Sequence, residues 1–320
     1  MIHPVTRIAL PRPAPAPDAG PSDERLYDLV EARVRRLMAD NPILATSLGI
    51  HEHDHLLGDA SRDAMNEEIG AERAHLAAVE ALDPTGLSGE ARFERDLELH
   101  NVRQNVFEAD EIRRWERRSS AAGDLGDAVF LLFARGAAPL AERLERITDR
   151  LEAAPAYLAA ARTRAQGAQV ALWQQVDARY AADLPSLFAE VRAAAGPVLP
   201  GPELARLDRA IAGANIALES HGAWLNETLA GATDDWPLGT ERYDELIRLR
   251  AFGDLDADAI LRSATSSCRP TSRRGGRPRA SWTRTRTWPP SSTASSTITP
   301  RPSRRRWTAT GTSWRAPVPT

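Results

Sequence analysis

The composition of this 320-residue chain changes abruptly after Arg262, and the change limits how much of the chain can build a folded core. Residues 1–262 contain 29 arginines and all 44 acidic residues, whereas residues 263–320 contain 12 arginines and no acidic residue. Ser, Thr, Arg and Pro dominate the second segment. Such a composition is typical of segments that do not fold on their own. We therefore predict a low-complexity, disordered tail over residues 263–320.

The pattern before the break indicates helices. Apolar residues recur every three or four positions, as at Leu26, Leu29 and Val30. No sustained alternation of apolar and polar residues and no Asn-Gly or Asp-Gly turn predicts strands. We predict an all-α, multi-helix antiparallel bundle-like domain over residues 22–262, with short loops between neighbouring helices. Helix starts are expected at Ser22, Ser61, Ser88, Pro139 and Pro155, an interruption at Pro185, and a last long helix from about Glu203 to Leu229.

Residues 1–21 form a proline-rich segment, with prolines at positions 4, 11, 13, 15, 17 and 21. They lack the continuous apolar core of a signal peptide, and we expect a flexible, disordered leader or an over-extended start site. No window of about 18 or more apolar residues predicts a membrane span. These features favour a cytoplasmic location and no membrane partner. The single cysteine, Cys268, excludes a disulfide within one chain.

Four tryptophans lie within residues 263–320, although disordered segments are usually poor in aromatic residues. Every basic residue of the chain except histidine is arginine, and alanine is abundant, which is the usage expected of a GC-rich gene. If the codons of the tail begin one base earlier, each Trp becomes Leu, Val or Met, and Thr becomes mostly Asp or His. With GC-favouring codons, residues 281–288 then become Glu-Leu-Asp-Pro-Asp-Ala-Asp-Val. The shifted frame restores acidic residues and helical spacing.

We therefore interpret residues 263–320 as a frameshifted translation of helical protein. The alternative is an acidic helical binding protein with a genuine Arg/Trp-rich tail. Such a tail would contact nucleic acid or other acidic partners through its arginines and stack bases on its tryptophans.

Two stretches resemble a known bacterial family. They are Asn41-Pro-Ile-Leu-Ala-Thr-Ser-Leu-Gly-Ile50 with the His/Asp-rich residues that follow, and Trp236-Pro-Leu-Gly-Thr-Glu-Arg-Tyr243. The Leu-rich helices between them and the stretch 254–262 also fit. On these residues the chain resembles the N-terminal portion of the domain of unknown function 885 family (DUF885).

Members of that family resemble helical zinc metallopeptidases. The resemblance implies a zinc-dependent peptidase-like hydrolase that acts on a peptide-like substrate. The inferred metal helix of the family, of the His-Glu-x-x-His or His-Glu-x-x-x-x-His type, lies in the C-terminal half. No histidine follows His221 in this sequence. The resemblance therefore implies that the catalytic half is absent from this translation, and it assigns no catalytic, cofactor-binding or metal residue here.

One run, His51-Glu-His-Asp-His55, matches the letters of a zinc motif. On a helix, His51 and His55 would share a face and could bind zinc, with Glu52 as general base. However, Gly49 and Gly58 bracket the run, and no apolar stripe would hold a helix there. We predict a polar loop and no metal site, with His51, Glu52 and His55 as the alternative.

The remaining histidines and tryptophans fall at helical positions. His75, His100 and His221 are expected to be packed or surface side chains rather than ligands. Trp115, Trp173 and Trp224 are expected to anchor a core or an interface. No Gly-rich phosphate loop, Cys/His pair or Gly-x-Ser-x-Gly elbow indicates another chemistry.

Overall fold

In the part of the chain that the structure describes, helices form the regular structure apart from one isolated bridge between Val170 and Thr233. The computed structural model describes residues 15, 17–251 and 255–267. Within these residues the prediction of an all-α fold is confirmed. Most of the predicted leader, and the predicted tail from Cys268 onward, lie outside the described residues. Residues 263–267 were predicted to begin the disordered tail, but they form the end of a helix, Ala257–Ser267.

The helices fall into two groups along the chain. The N-terminal group consists of α1 (Pro21–Asp40), α2 (Pro42–Ser47), α3 (Arg62–Glu80), α4 (Gly89–Phe107), a π turn (Glu108–Ile112) and the short α5 (Arg114–Arg117). The second group consists of α6 (Ala121–Ala134), α7 (Leu140–Arg164), α8 (Ala171–Ala195) and α9 (Gly201–Leu229). Two shorter helices follow, α10 (Thr240–Arg250) and α11 (Ala257–Ser267).

Serine caps fix two of the helix starts. The Ser61 hydroxyl accepts a hydrogen bond from the Ala64 amide at 3.1 Å, and Ser88 caps α4 in the same way. Both starts agree with the prediction. The predicted cap at Ser22 is wrong, because α1 begins at Pro21. Proline suits the first helical position, since it has no amide hydrogen to leave unpaired there.

Two prolines lie inside continuous helices. Pro155 was expected to start a helix and Pro185 to interrupt one, but α7 and α8 run through them. Both expectations are wrong. A proline inside a helix costs about 3 kcal/mol, and burial of apolar residues on either side offsets that cost. In α7, Leu151 and Leu158 flank Pro155 and are buried in the core.

The core has two parts. In the larger part, α6 and α9 each pack against both α7 and α8 to form a four-helix bundle. The smaller part joins α1, α3 and α4 through six buried residues, Leu26, Val79, Leu82, Leu87, Ala91 and Leu99. Contacts of α2 with α6 and of α3 with α7 connect the two groups of helices. Among the described helices, none combines the length and apolar character that a bilayer span requires.

Arg150, fully buried on α7, connects α2 and the loop after it to the bundle. Its guanidinium donates hydrogen bonds to the Thr46 hydroxyl at 2.7 Å, the Leu56 carbonyl at 2.9 Å and the Ala128 carbonyl at 2.7 Å. The Asp54 carboxylate lies 3.9 Å away. Burial lowers the pKa of Arg150 to about 10, so the side chain stays charged at neutral pH.

Candidate functional site

An open groove of about 1250 Å³ lies between the N-terminal helices and the four-helix bundle. Helices α1, α3, α4, α6 and α10 contribute side chains to it. A recess of about 850 Å³ continues from it and shares with it Asn41, Leu44, Met65, Glu68, Asp124 and Arg164. We refer to both together as the groove.

Aromatic rings form one part of the groove wall. Trp236, before α10, and Tyr243, in the first turn of α10, are 60% and 49% exposed. Trp115 and Trp173 line the same space and are partly buried. Large apolar side chains that stay accessible inside a concave surface are typical of ligand sites. The groove can therefore accept apolar side chains of a ligand.

The Trp115 ring has a fixed orientation. Its Nε1 donates a hydrogen bond to the Ala109 carbonyl at 2.9 Å. The guanidinium groups of Arg62 and Arg113 lie 5.2 and 5.0 Å from the ring centroid. Both cations also bind the Glu116 carboxylate. Trp115 thus presents a rigid surface to the groove.

Two carboxyl groups of the groove lie in surroundings that favour their neutral form. Asp124 on α6 accepts hydrogen bonds from the Ser120 hydroxyl at 2.9 Å and the Tyr157 hydroxyl at 3.4 Å. Burial raises the pKa of Asp124 above its ordinary value, despite these hydrogen bonds. Burial also raises the pKa of Glu68, which accepts a bond from Asn41 at 3.5 Å. Carboxyl groups with raised pKa values can exchange protons nearer to neutral pH.

A third carboxyl group of the groove, Glu72, is held in the opposite state. Arg33 binds it in a bidentate ion pair, and Arg36 binds it at 2.6 Å. Burial by itself would raise the pKa of Glu72, but these arginines hold it below its ordinary value. Glu72 is therefore a fixed anion that joins α1 to α3 and not a proton donor.

The run His51-Glu-His-Asp-His55 lies in a turn and not in a helix. The His51 Nδ1 is 2.8 Å from the Asp54 carboxylate, which also bonds the Thr46 hydroxyl at 2.6 Å. His51 and His55 therefore do not share a helical face. None of residues 51–55 lines the groove. Within residues 15, 17–251 and 255–267, no group of three or more His, Cys, Asp or Glu side chains could hold a metal ion.

The other histidines lie among packed helices. His75 is buried and bonds Glu98 at 2.7 Å, next to the Arg33 ion pair. His221 is fully buried, lies 3.3 Å from the Ser119 hydroxyl and contacts the Trp224 ring at 5.3 Å between centroids. Burial, together with the charge of Arg162, lowers the pKa of His221 to about 4.

Comparison with known proteins gives the chain a family. Residues 42–273 match the model of a bacterial protein of unknown function, DUF885. The chain belongs to the DUF885 family. A search of curated proteins found no match to this chain.

A solved structure has a fold similar to that of this DUF885 chain. It is described as a putative lipoprotein of unknown function from Shewanella oneidensis. The two share 18% sequence identity with a TM-score of 0.64, over 75% of this chain and 45% of that one. At this identity the likeness establishes the fold alone, and this chain spans less than half the length of the solved protein.

Sequence reasoning did not single out Asp124 or Arg164 as residues of the DUF885 groove. One signal was present: Asp124 lies near the start of a mostly apolar helix, one residue before the buried Leu125. No comparable signal marks Arg164, because arginines are common in the last turn of a helix. Its position at the end of α7, facing the groove, depends on how α7 packs against α6.

Proposed function

We propose that this chain is the N-terminal helical part of a zinc-dependent, peptidase-like hydrolase, and that the groove is the substrate groove of that enzyme. The observation that carries the proposal is the groove itself, whose lining includes both exposed aromatic rings and carboxyl groups of raised pKa. Its main space of about 1250 Å³ exceeds the roughly 300–1,000 Å³ of common small-molecule sites and leaves room for a peptide-like substrate. The resemblance of the family to zinc metallopeptidases supplies the reaction class.

The described residues do not themselves fit a zinc ion. His51 is bound to Asp54, the run around it is not helical, and no triad of ligands is present among the described residues. In the intact enzyme, the zinc ligands and the general base would belong to chain outside the described part. The helices described here would supply substrate contacts.

We further propose that the reading frame changes after about Arg262. The family match, which ends at residue 273, supports this, because it stops shortly after the composition changes. Leu261 on α11 is 62% exposed and Ile260 is 44% exposed. We expect such exposed apolar side chains if additional helices normally cover this helix. Both observations fit a protein in which the shifted frame continues the helical domain.

Sequencing the gene across the codons for Ala259–Cys268 tests the frame directly. We expect one inserted or missing base relative to a frame that continues the family sequence. The 320-residue chain should then lack peptidase activity and tend to aggregate through its exposed apolar faces. The gene product read in the restored frame to its own stop codon should hydrolyse peptides in a way that a chelator abolishes. An inactive, well-folded restored chain would overturn the hydrolase proposal.

The alternative, a genuine Arg/Trp-rich tail, makes a different prediction. Its arginines would bind nucleic acid with an affinity that falls steeply as salt rises. Deletion of residues 263–320 should then abolish binding. If the gene shows no shift and nucleic-acid binding has this salt dependence, the hydrolase proposal fails. The chain is then an acidic helical binding protein.

A cytoplasmic location is also proposed, and cell fractionation tests it. Recovery of the protein in the membrane fraction would contradict it. The description of the Shewanella protein as a lipoprotein belongs to that protein.

A further inference from the structure

Several charged groups that line the groove are already paired within the protein. Glu72 is bound by Arg33 and Arg36. The Arg118 Nη2 lies 2.6 Å from the Asp177 Oδ1, and the Arg250 Nη2 lies 2.8 Å from the Glu108 Oε1. Such pairs use their hydrogen-bonding capacity on the protein itself. They leave little for a ligand.

Arg164 is different. It is the last residue of α7 and lines both the main space of the groove and the recess. Its Nε is buried without a hydrogen-bond partner. Within the described residues, no carboxylate lies close enough to Arg164 for an ion pair. Its charge reaches Asp124 through space and opposes the effect of burial on the pKa of that carboxyl group.

Three other arginines also have a buried Nε without a partner, namely Arg36, Arg62 and Arg162. Each of them uses another nitrogen of its guanidinium, on Glu72, Glu116 and Ser220 respectively. Arg164 makes no such bond within the described part of the chain. An unsatisfied buried donor costs about 1–3 kcal/mol. The Arg164 guanidinium therefore has hydrogen-bonding capacity that the described protein leaves unused, and its side chain lines the groove.

We propose that Arg164 binds the carboxylate of a ligand in the groove, and that this ligand is a short peptide with a free C-terminal carboxylate and an apolar side chain. Guanidinium offers two parallel donors that match a carboxylate. Trp173, Trp236 and Tyr243 line the same groove and supply apolar surface. The Asp124 carboxyl accepts hydrogen bonds from Ser120 and Tyr157 and makes no ion pair with Arg164 within the described residues. This inference rests on the proposed peptide substrate and names the group by which it is held.

Binding to the full 320-residue chain tests the proposal without any catalytic readout. The probes are N-acetylphenylalanine and N-acetylphenylalanine amide, which have nearly the same shape but differ in charge. Titration calorimetry near neutral pH should give binding of the acid that is about tenfold or more tighter than that of the amide. Equal affinities, or no binding of the acid, would overturn the proposal. Tighter binding of inorganic phosphate than of the acid would also overturn the assignment of a carboxylate.

Two substitutions at Arg164 test whether the preference for the acid over the amide comes from this side chain. Arg164→Gln should reduce the affinity for the acid to that for the amide, whereas Arg164→Lys should retain part of the preference, because it keeps the charge without the two-pronged geometry. Arg179→Gln is the matched control, since the Arg179 side chain is 84% exposed and lies outside the groove lining. Circular dichroism confirms folding of each variant. A preference for the acid that survives in Arg164→Gln would contradict the assignment.

The result is separable from that of the proposed hydrolase. If the acid binds through Arg164 but the chain in the restored frame does not hydrolyse peptides, the binding site stands and the hydrolase fails. If hydrolysis occurs without a preference for free carboxylates, the hydrolase stands and the role of Arg164 fails.

Discussion

The guanidinium of Arg33 on α1 holds the carboxylate of Glu72 on α3 in a bidentate ion pair, with Nη2–Oε2 at 2.7 Å and Nε–Oε1 at 3.0 Å. The same guanidinium reaches Glu98 on α4 at 3.2 Å, and Glu98 bonds His75 at 2.7 Å. Four buried polar side chains thus join three helices. Removing one member would leave the others buried without compensation.

Glu72→Leu should therefore destabilise the fold by about 3–5 kcal/mol, since it leaves the Arg33 charge buried and partly unpaired. Urea unfolding at neutral pH measures the loss. Asp183→Leu is the control, because it removes a partner of the exposed Arg179, where ion pairs contribute about 0–1 kcal/mol. Similar losses for the two variants would show that the buried network has no special role.

Arg150→Met should cost about 3 kcal/mol or more, because it leaves the Leu56 and Ala128 carbonyls without their donor inside the protein. Hydrogen exchange of residues 42–57 should become faster, since Arg150 connects this segment to the bundle. Arg146→Met, one turn earlier on α7, is the matched control with a partly exposed side chain. A change at Arg146 as large as that at Arg150 would contradict this role.

Arg146 and Arg150 also illustrate what the sequence could predict and what it could not. The helices could be predicted from the sequence, because apolar residues recur every three or four positions on the side of each helix that faces the core. Arg146 and Arg150 lie one helical turn apart and look alike in that pattern, yet only Arg150 is fully buried. The groove could not be predicted from the sequence for the same reason. Asp124 and Arg164 belong to different helices, and only the packing of α6 against α7 brings them to one surface.

Asp124→Asn should stabilise the protein at neutral pH. Burial raises the folded-state pKa of Asp124 above its ordinary value of 3.8, so the neutral form favours folding. Its stability contribution is fully present below pH 3.8 and is lost as pH rises through the folded-state pKa. Asparagine is neutral at every pH and can still accept the bonds from Ser120 and Tyr157. Thermal unfolding should give a higher Tm for the variant at pH 7 and no gain at pH 3.

Asp127→Asn is the control for that comparison, because Asp127 lies one turn further along α6 and is exposed. Its effect on Tm should be small at both pH values. A destabilised Asp124→Asn variant at pH 7 would mean that the charged form of Asp124 supports the fold, in contradiction to its burial.

His221 should make the fold sensitive to mild acid. Burial lowers its folded-state pKa from 6.5 to about 4, so its contribution is present above pH 6.5 and is lost as pH falls through about 4. The difference corresponds to on the order of 3 kcal/mol. Urea unfolding between pH 7 and pH 4 should show this loss in the unmodified chain and a smaller one in His221→Gln. His55→Gln, at an exposed turn residue, should keep the loss. Identical pH profiles for the unmodified chain and His221→Gln would contradict the buried neutral histidine.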